Sequence, residues 1–369
     1  MTRVLSALAV LVAFATLPAG LLVSEDQPAT TDPVHHALIQ KRVGFYAVYL
    51  PPDYAAEANK DRKWPVCLIL HGHGSSETGH GALSNTLGRD GVIYVAPRAP
   101  YMHKGLLAQG TRGYTAWPTW PESWGEHDSE TFPAREIEKL QVSRLYTDWI
   151  AECLADTRAR YRVNERRAIV VGHSQGAMFS VQFALHRPEL VRAHFAYAGH
   201  YSDEMKDDIA AKTLKKHGIH TVIAHCEGDA VVPPDSAKKF VDYLKQHEVA
   251  HEALIQPGGS HSFTSKVMRG AQEFVAKWGR GKELPPLEGK LVVVSVVEDS
   301  QAAKAGLKAD DVLVSYNGSA LSCMDDLQAA IAAAEKEGKE SVTLVWRRGE
   351  IEHKADVKPG KLGLMPADR

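Results

Sequence analysis

Ser174 stands between two glycines in VVGHSQGAMF, residues 170–179, directly after a run of branched apolar residues. Ile169, Val170 and Val171 suit a buried strand, and 177–185 reads as a helix that Pro188 terminates, so 172–176 must turn sharply from strand to helix. A serine on such a turn has its hydroxyl lifted clear of the sheet, as a nucleophile requires. A hydroxyl attacks poorly until a base takes its proton, and the base must be oriented by a third group, usually a carboxylate. Downstream, HTVIAHC runs into EGDAVVPPDSA and sets Asp229 at a strand exit; ALIQPGGSHSF then sets His261 in a glycine-rich loop before a helix. The order nucleophile, acid, base is Ser174, Asp229, His261. Glu227 lies nearer the strand, and Asp235 is expected to cap the helix opening at Ser236.

The tetrahedral intermediate of acyl transfer needs two N–H donors aimed at its oxyanion. The residue after the nucleophile, Gln175, offers one at a helix start. An early glycine-rich loop, VCLILHGHGSSETGHG, offers the other at His73, where Gly72 and Gly74 allow close approach. The same loop carries His71, His73 and His80, a zinc-like set that lacks the aspartate of an H-x-H-x-D-H motif; no metal and no cofactor are expected. An aromatic insert, 109–128, holds Tyr114, Trp117, Trp120 and Trp124 at no regular period, and is expected to loop over the active edge as an apolar wall for substrate.

These residues must be held by a scaffold. Strand-like runs at 44–50, 66–70, 91–96, 168–171, 194–197, 220–224 and 252–255 alternate with helical patterns at 137–161, 177–185, 236–246 and 263–278. That alternation predicts an α/β fold with a mostly parallel sheet, covered by helices on both faces, whose site lies at the carboxyl ends of strands. The periodicity breaks at GRGKELPPLEGK, and the rest of the chain is of the size of a small second domain. The expected organisation is an export signal over 1–24, a catalytic domain over 25–280, a linker over 281–288 and an α+β domain over 289–364. The signal reading rests on Arg3, the apolar run 4–17 and the Pro18–Ala19–Gly20 after it. A formal net charge of −2, with no basic stripe, argues against nucleic acid or an anionic membrane as partner. The four cysteines are widely spaced in apolar surroundings and read as buried thiols, with export leaving one disulfide open.

LILHGHGSSETGHG, APRAP, VVGHSQGA, EGDAVVP and GSHSF together resemble the phospholipase/carboxylesterase group of α/β-hydrolases, relatives of acyl-protein thioesterases and dienelactone hydrolases, over about residues 42–278. The resemblance implies the α/β-hydrolase fold, with the His73 and Gln175 amides as oxyanion donors. The chain departs from the group in His173 before the serine, in His73 and in the aromatic insert. SVVEDSQAAKAGLKADDVLVSYNG, with the flanking residues over about 287–364, resembles a bacterial PDZ domain, departing at Gln301 and Asp310, where proline and glycine are usual. PGKLGL, at 359–364, is the loop such a domain would use for a chain terminus, with little chain left to build the adjoining strand. The expected function is an exported serine esterase acting on a small or polymer-borne carboxylic ester. A thioesterase or peptidase on the same residues, or a binding protein with a dead site, are the other readings.

Overall fold

The computed structural model describes residues 34–39, 43–103, 113–116, 134–164, 167–282 and 290–368. The expected export signal, residues 283–288 of the expected linker, and Trp117, Trp120 and Trp124 lie outside these. The first part of the chain runs β1 (Val34–Ile39), β2 (Val43–Tyr49), β3 (Val66–Leu70), α1 (Leu83–Leu87), β4 (Ile93–Pro97), β5 (Tyr101–His103), β6 (Gly113–Thr115), α2 (Ala134–Arg160), β7 (Ala168–His173), α3 (Gln175–His186), β8 (Val191–Tyr197), α4 (Asp208–Lys216), β9 (His220–Cys226), α5 (Asp235–Gln246), β10 (His251–Gln256) and α6 (Ser265–Phe274).

Eight strands form one sheet in the order β1-β2-β4-β3-β7-β8-β9-β10. β1, β2 and β4 pair antiparallel, and every pair from β4 to β10 is parallel. A parallel interior demands apolar residues on both faces. Along β7, Val170 enters one core with Leu68, Trp149, Phe179 and Phe240, while Ile169 and Val171 enter the other with Tyr94, Phe195 and Phe274. Helices α2 to α5 therefore cover one face, and α1 and α6 the other. From β3 the chain steps outward to β4, then returns to β7 on the other side of β3. The crevice at this switch point opens at the carboxyl ends of β3 and β7.

Some expectations need correction. Asp235 does not cap α5: it is the first helical residue, the N-cap is Pro234, and no side-chain capping bond forms. Tyr114 lies in the short β5–β6 hairpin, not in irregular chain. The four cysteines, by contrast, are buried and free, as their apolar surroundings predict.

The second part runs β11 (Leu291–Val296), α7 (Gln301–Ala305), β12 (Val312–Tyr316), β13 (Ser319–Ala320), α8 (Met324–Lys336), β14 (Val342–Arg348), β15 (Ile351–Val357) and β16 (Leu364–Asp368). Its antiparallel sheet has the order β15-β14-β12-β11-β16, around Leu291, Leu313, Tyr316, Leu327, Leu344 and Trp346. The short tail after PGKLGL is long enough to build the adjoining strand, because β16 pairs with β11. Both departures from the PDZ pattern have a local reason. Asp310 takes the left-handed backbone, φ 68°, that a glycine would otherwise supply. Gln301 accepts from Lys358 N–H at 2.7 Å and donates to Lys361 C=O at 3.2 Å, anchoring the loop before β16.

Candidate active site

Ser174 sits between β7 and α3 at φ 56°, ψ −120°, a conformation that a non-glycine residue rarely adopts. Its N–H donates to Tyr197 C=O at 2.8 Å. The crowding explains the flanking glycines: a Cβ on Gly172 would lie 2.2 Å from Gly176 O, and one on Gly176 would lie 2.0 Å from Leu70 O. A Cβ on Gly72 would stand 3.1 Å from the Ser174 Cβ, so the glycine-rich loop after β3 passes directly beside the serine. Gln175 opens α3, where the first amides have no partner within the helix and the dipole is positive.

The loop bearing His73 is stitched to β6. Gly74 N–H donates to Tyr114 C=O at 2.9 Å, and Tyr114 N–H to Ser75 C=O at 2.7 Å. The Gln175 side chain is buried, with Oε1 accepting from Ala116 N–H at 2.8 Å and Nε2 donating to Thr115 Oγ1 at 3.0 Å. His73 Nδ1 stands 3.0 Å from the same hydroxyl. Thr115 therefore ties together the two residues whose amides are expected to face an oxyanion. The Tyr114 ring lies under the Arg98 guanidinium at 4.5 Å, and Arg98 Nε donates to the buried Glu77 carboxylate at 2.6 Å.

Asp229 and His261 meet directly: His261 Nδ1 is 2.8 Å from Asp229 Oδ2. The other oxygen, Oδ1, accepts from Val231 and Val232 N–H, each at 2.9 Å. Burial opposes the Asp229 charge, but the hydrogen bonds from Val232, His261 and Val231 hold its carboxyl below the ordinary range. Because that carboxylate only accepts, His261 carries its proton on Nδ1 and presents Nε2 as the basic nitrogen. Glu227 turns outward to Lys238 at 2.6 Å. Among the described residues no hydrogen bond joins the Ser174 hydroxyl to His261. The two are neighbours through His173, whose ring centroid is 5.0 Å from that of His261.

Sequence reasoning missed what holds the loop over residues 257–264. His173 Nε2 donates to His261 C=O at 2.7 Å. The Tyr197 hydroxyl lies 2.7 Å from both Ser260 C=O and Ser262 C=O and shares its one proton between them, so two side chains paired across β7 and β8 face three successive carbonyls of the loop. Gly228 N–H adds a bond to Gly258 C=O at 2.9 Å. Phe263 packs on Tyr197 and His173, at ring-centroid separations of 4.8 and 5.3 Å. His225, buried behind the acid, donates from Nε2 to Val232 C=O at 2.8 Å and lies 3.4 Å from Asp229 Oδ2. The only signal in the sequence was position, since His173 and Tyr197 each end a strand beside the serine turn. His71 and His80 do not converge with His73: His71 bonds Gly72 C=O and Ala99 N–H, and His80 stacks on His173.

Residues 52–279 match the phospholipase/carboxylesterase family of α/β-hydrolases, and the chain belongs to that family. Residues 292–348 match the PDZ domain. Over 62 residues in the PDZ region the chain is 44% identical to a protein of Brucella suis biovar 1 described as a probable periplasmic serine endoprotease, DegP-like; the match covers 16% of this chain and 12% of that relative. Solved structures of similar fold include esterase PE8 (24% identity, 58% of this chain and 93% of that one, TM-score 0.46). A carboxylesterase from Mesorhizobium loti is another (17% identity, 63% and 94%, TM-score 0.45). The protein is thus a hydrolase of the phospholipase/carboxylesterase family followed by a PDZ domain.

Two outcomes are expected. Gly176→Ala drives a methyl group into the Leu70 carbonyl and lowers stability by about 3 kcal/mol, read as a shift in the urea midpoint; an unchanged midpoint would contradict the crowding. Burial pushes His71 down to about 4, His173 to about 4 and His194 to about 3, each below the ordinary 6.5. The unfolded chain therefore binds more protons than the folded one between these values and 6.5, and the stability these rings contribute is complete above that window and lost as pH falls through it. The slope is up to about 1.4 kcal/mol per pH unit for each ring. Denaturation at pH 7.5 and pH 5 measures it, and equal stability at both would contradict the neutral-imidazole assignment.

Proposed function

We propose that the protein is an exported serine esterase that cleaves carboxylic esters through Ser174, His261 and Asp229. The observation that carries the reading is the Asp229–His261 hydrogen bond at 2.8 Å, on a loop beside a serine held in an elbow at φ 56°. Ser174 Oγ attacks the ester carbonyl while His261 Nε2 takes its proton, and the negative charge that grows on the carbonyl oxygen is received by the His73 and Gln175 amides. His261 returns the proton to the departing alcohol. Water then repeats the sequence on the acyl-serine, with His261 as base again. Asp229 stays ionised throughout, fixing the tautomer and stabilising the imidazolium. The hydroxyl–imidazole contact closes when substrate fills the crevice, as catalytic hydrogen bonds in empty sites are often long. Tyr114, on the strand stitched to the His73 loop, lines the substrate side in this reading. Export is supported by the basic-then-apolar pattern of residues 1–24.

On 4-nitrophenyl esters, Ser174→Ala and His261→Ala each lower kcat by about 10⁴-fold or more, and Asp229→Asn by a similar factor, because the wrong tautomer is then favoured. A His261→Ala chain that kept a tenth of the wild-type kcat would remove the base from the scheme. Tyr197→Phe keeps the ring stack and deletes the hydroxyl, and lowers kcat by about ten- to a hundredfold with KM little changed. A proportional rise in KM instead would assign Tyr197 to substrate binding.

A further inference from the structure

We propose that the PDZ domain completes the histidine loop of the hydrolase, with Asp325 as a positioning residue for His261. This rests on His261 being the general base. The inner side of loop 257–264 is fixed by Tyr197 and His173, but the loop runs out into α6, whose first amides have no partner within the helix. Thr264 caps one of them, its Oγ1 accepting from Val267 N–H at 3.3 Å. Lys266 N–H is met from the other domain, by Asp325 Oδ2 at 2.8 Å. Asp325 is 7% exposed although it belongs to the first turn of α8, so its carboxylate lies between two helix N-termini whose positive ends would otherwise repel.

The contact is braced on both sides. The Lys266 ammonium pairs with Asp326, and Asp326 Oδ2 also accepts from Ser322 N–H at 2.8 Å and Ser322 Oγ at 2.5 Å. Burial opposes the Asp326 charge, yet Lys266 and Ser322 hold its carboxyl down to about 2, so the clasp is fully charged near neutral pH. At the far end of the loop, Gly258 takes φ +68°, and the Ala329 Cα lies 4.0 Å from where its Cβ would be. One helix of the PDZ domain thus binds the amide five residues after His261 and passes beside the residue three before it.

The test uses the full chain and reads kcat, KM and the rate of inactivation by a fluorophosphonate. Asp325→Ala is expected to lower kcat and the inactivation rate in parallel, by about tenfold, with KM within about twofold of wild type. Asp325→Asn, which still offers an oxygen to Lys266 N–H, restores both rates. Lys266→Ala removes the ion pair but keeps the backbone bond, and lowers both rates clearly less than Asp325→Ala does. If Asp325→Ala kept the wild-type kcat, or if all three variants lost activity equally, Asp325 would be ordinary interface and the proposal would fall. Failure of the underlying reading looks different: a His261→Ala chain would keep most of the wild-type kcat and still take up the probe.

Discussion

One turn of backbone at Ser174 constrains the rest of the hydrolase. To leave β7 and enter α3 within one residue, the chain must accept a left-handed φ at a residue with a side chain, and this costs of order 1–3 kcal/mol. The neighbours yield the space: Gly172 and Gly176 lie so close to each other and to Leu70 that neither tolerates a methyl group. What results is a hydroxyl at the rim of the sheet, beside the first amide of a helix and against the glycine loop after β3. The buried two-faced strands supply the rigidity that keeps this strained element in place.

Near that turn, buried histidines are neutral while Asp229 keeps its charge. His71 and His173 are held unprotonated by burial and serve as fixed hydrogen-bonding partners. Asp229 keeps its negative charge because two backbone amides and His261 satisfy its oxygens. His173 and Tyr197, paired across adjacent strands, turn the sheet itself into the support for the loop that bears His261. A loop rich in glycine is thereby given the precision of a strand, which reaction geometry rewards strongly.

Much of this was legible in the residues. Alternating apolar runs located most strands of the parallel sheet, and the serine, acid and histidine could each be assigned to the end of a strand because parallel sheets put their sites there. β1, whose apolar run is broken by His35 and His36, and the three-residue strands β5 and β6 were not legible. Nor was strand order, which depends on long-range pairing. The contacts of Tyr197 and His173 with backbone carbonyls, the Thr115 junction and the Asp325 cap were hidden because each joins residues far apart in sequence, and the first and last do so through backbone groups that carry no sequence signal. Asp235 was misread as a cap because its type suits that position, whereas Pro234 in fact precedes the helix.

The loop that bears His261 is held from the sheet by Tyr197 on one side, and the helix it enters is met from the PDZ helix α8 on the other. The account depends on Ser174 Oγ being the atom that takes the acyl group. Peptide mapping after reaction with a fluorophosphonate tests this most directly: the account predicts one phosphonyl group per chain, on the peptide containing Ser174, and none on a Ser174→Ala chain. Label on another residue, or undiminished label in the Ser174→Ala chain, would contradict it.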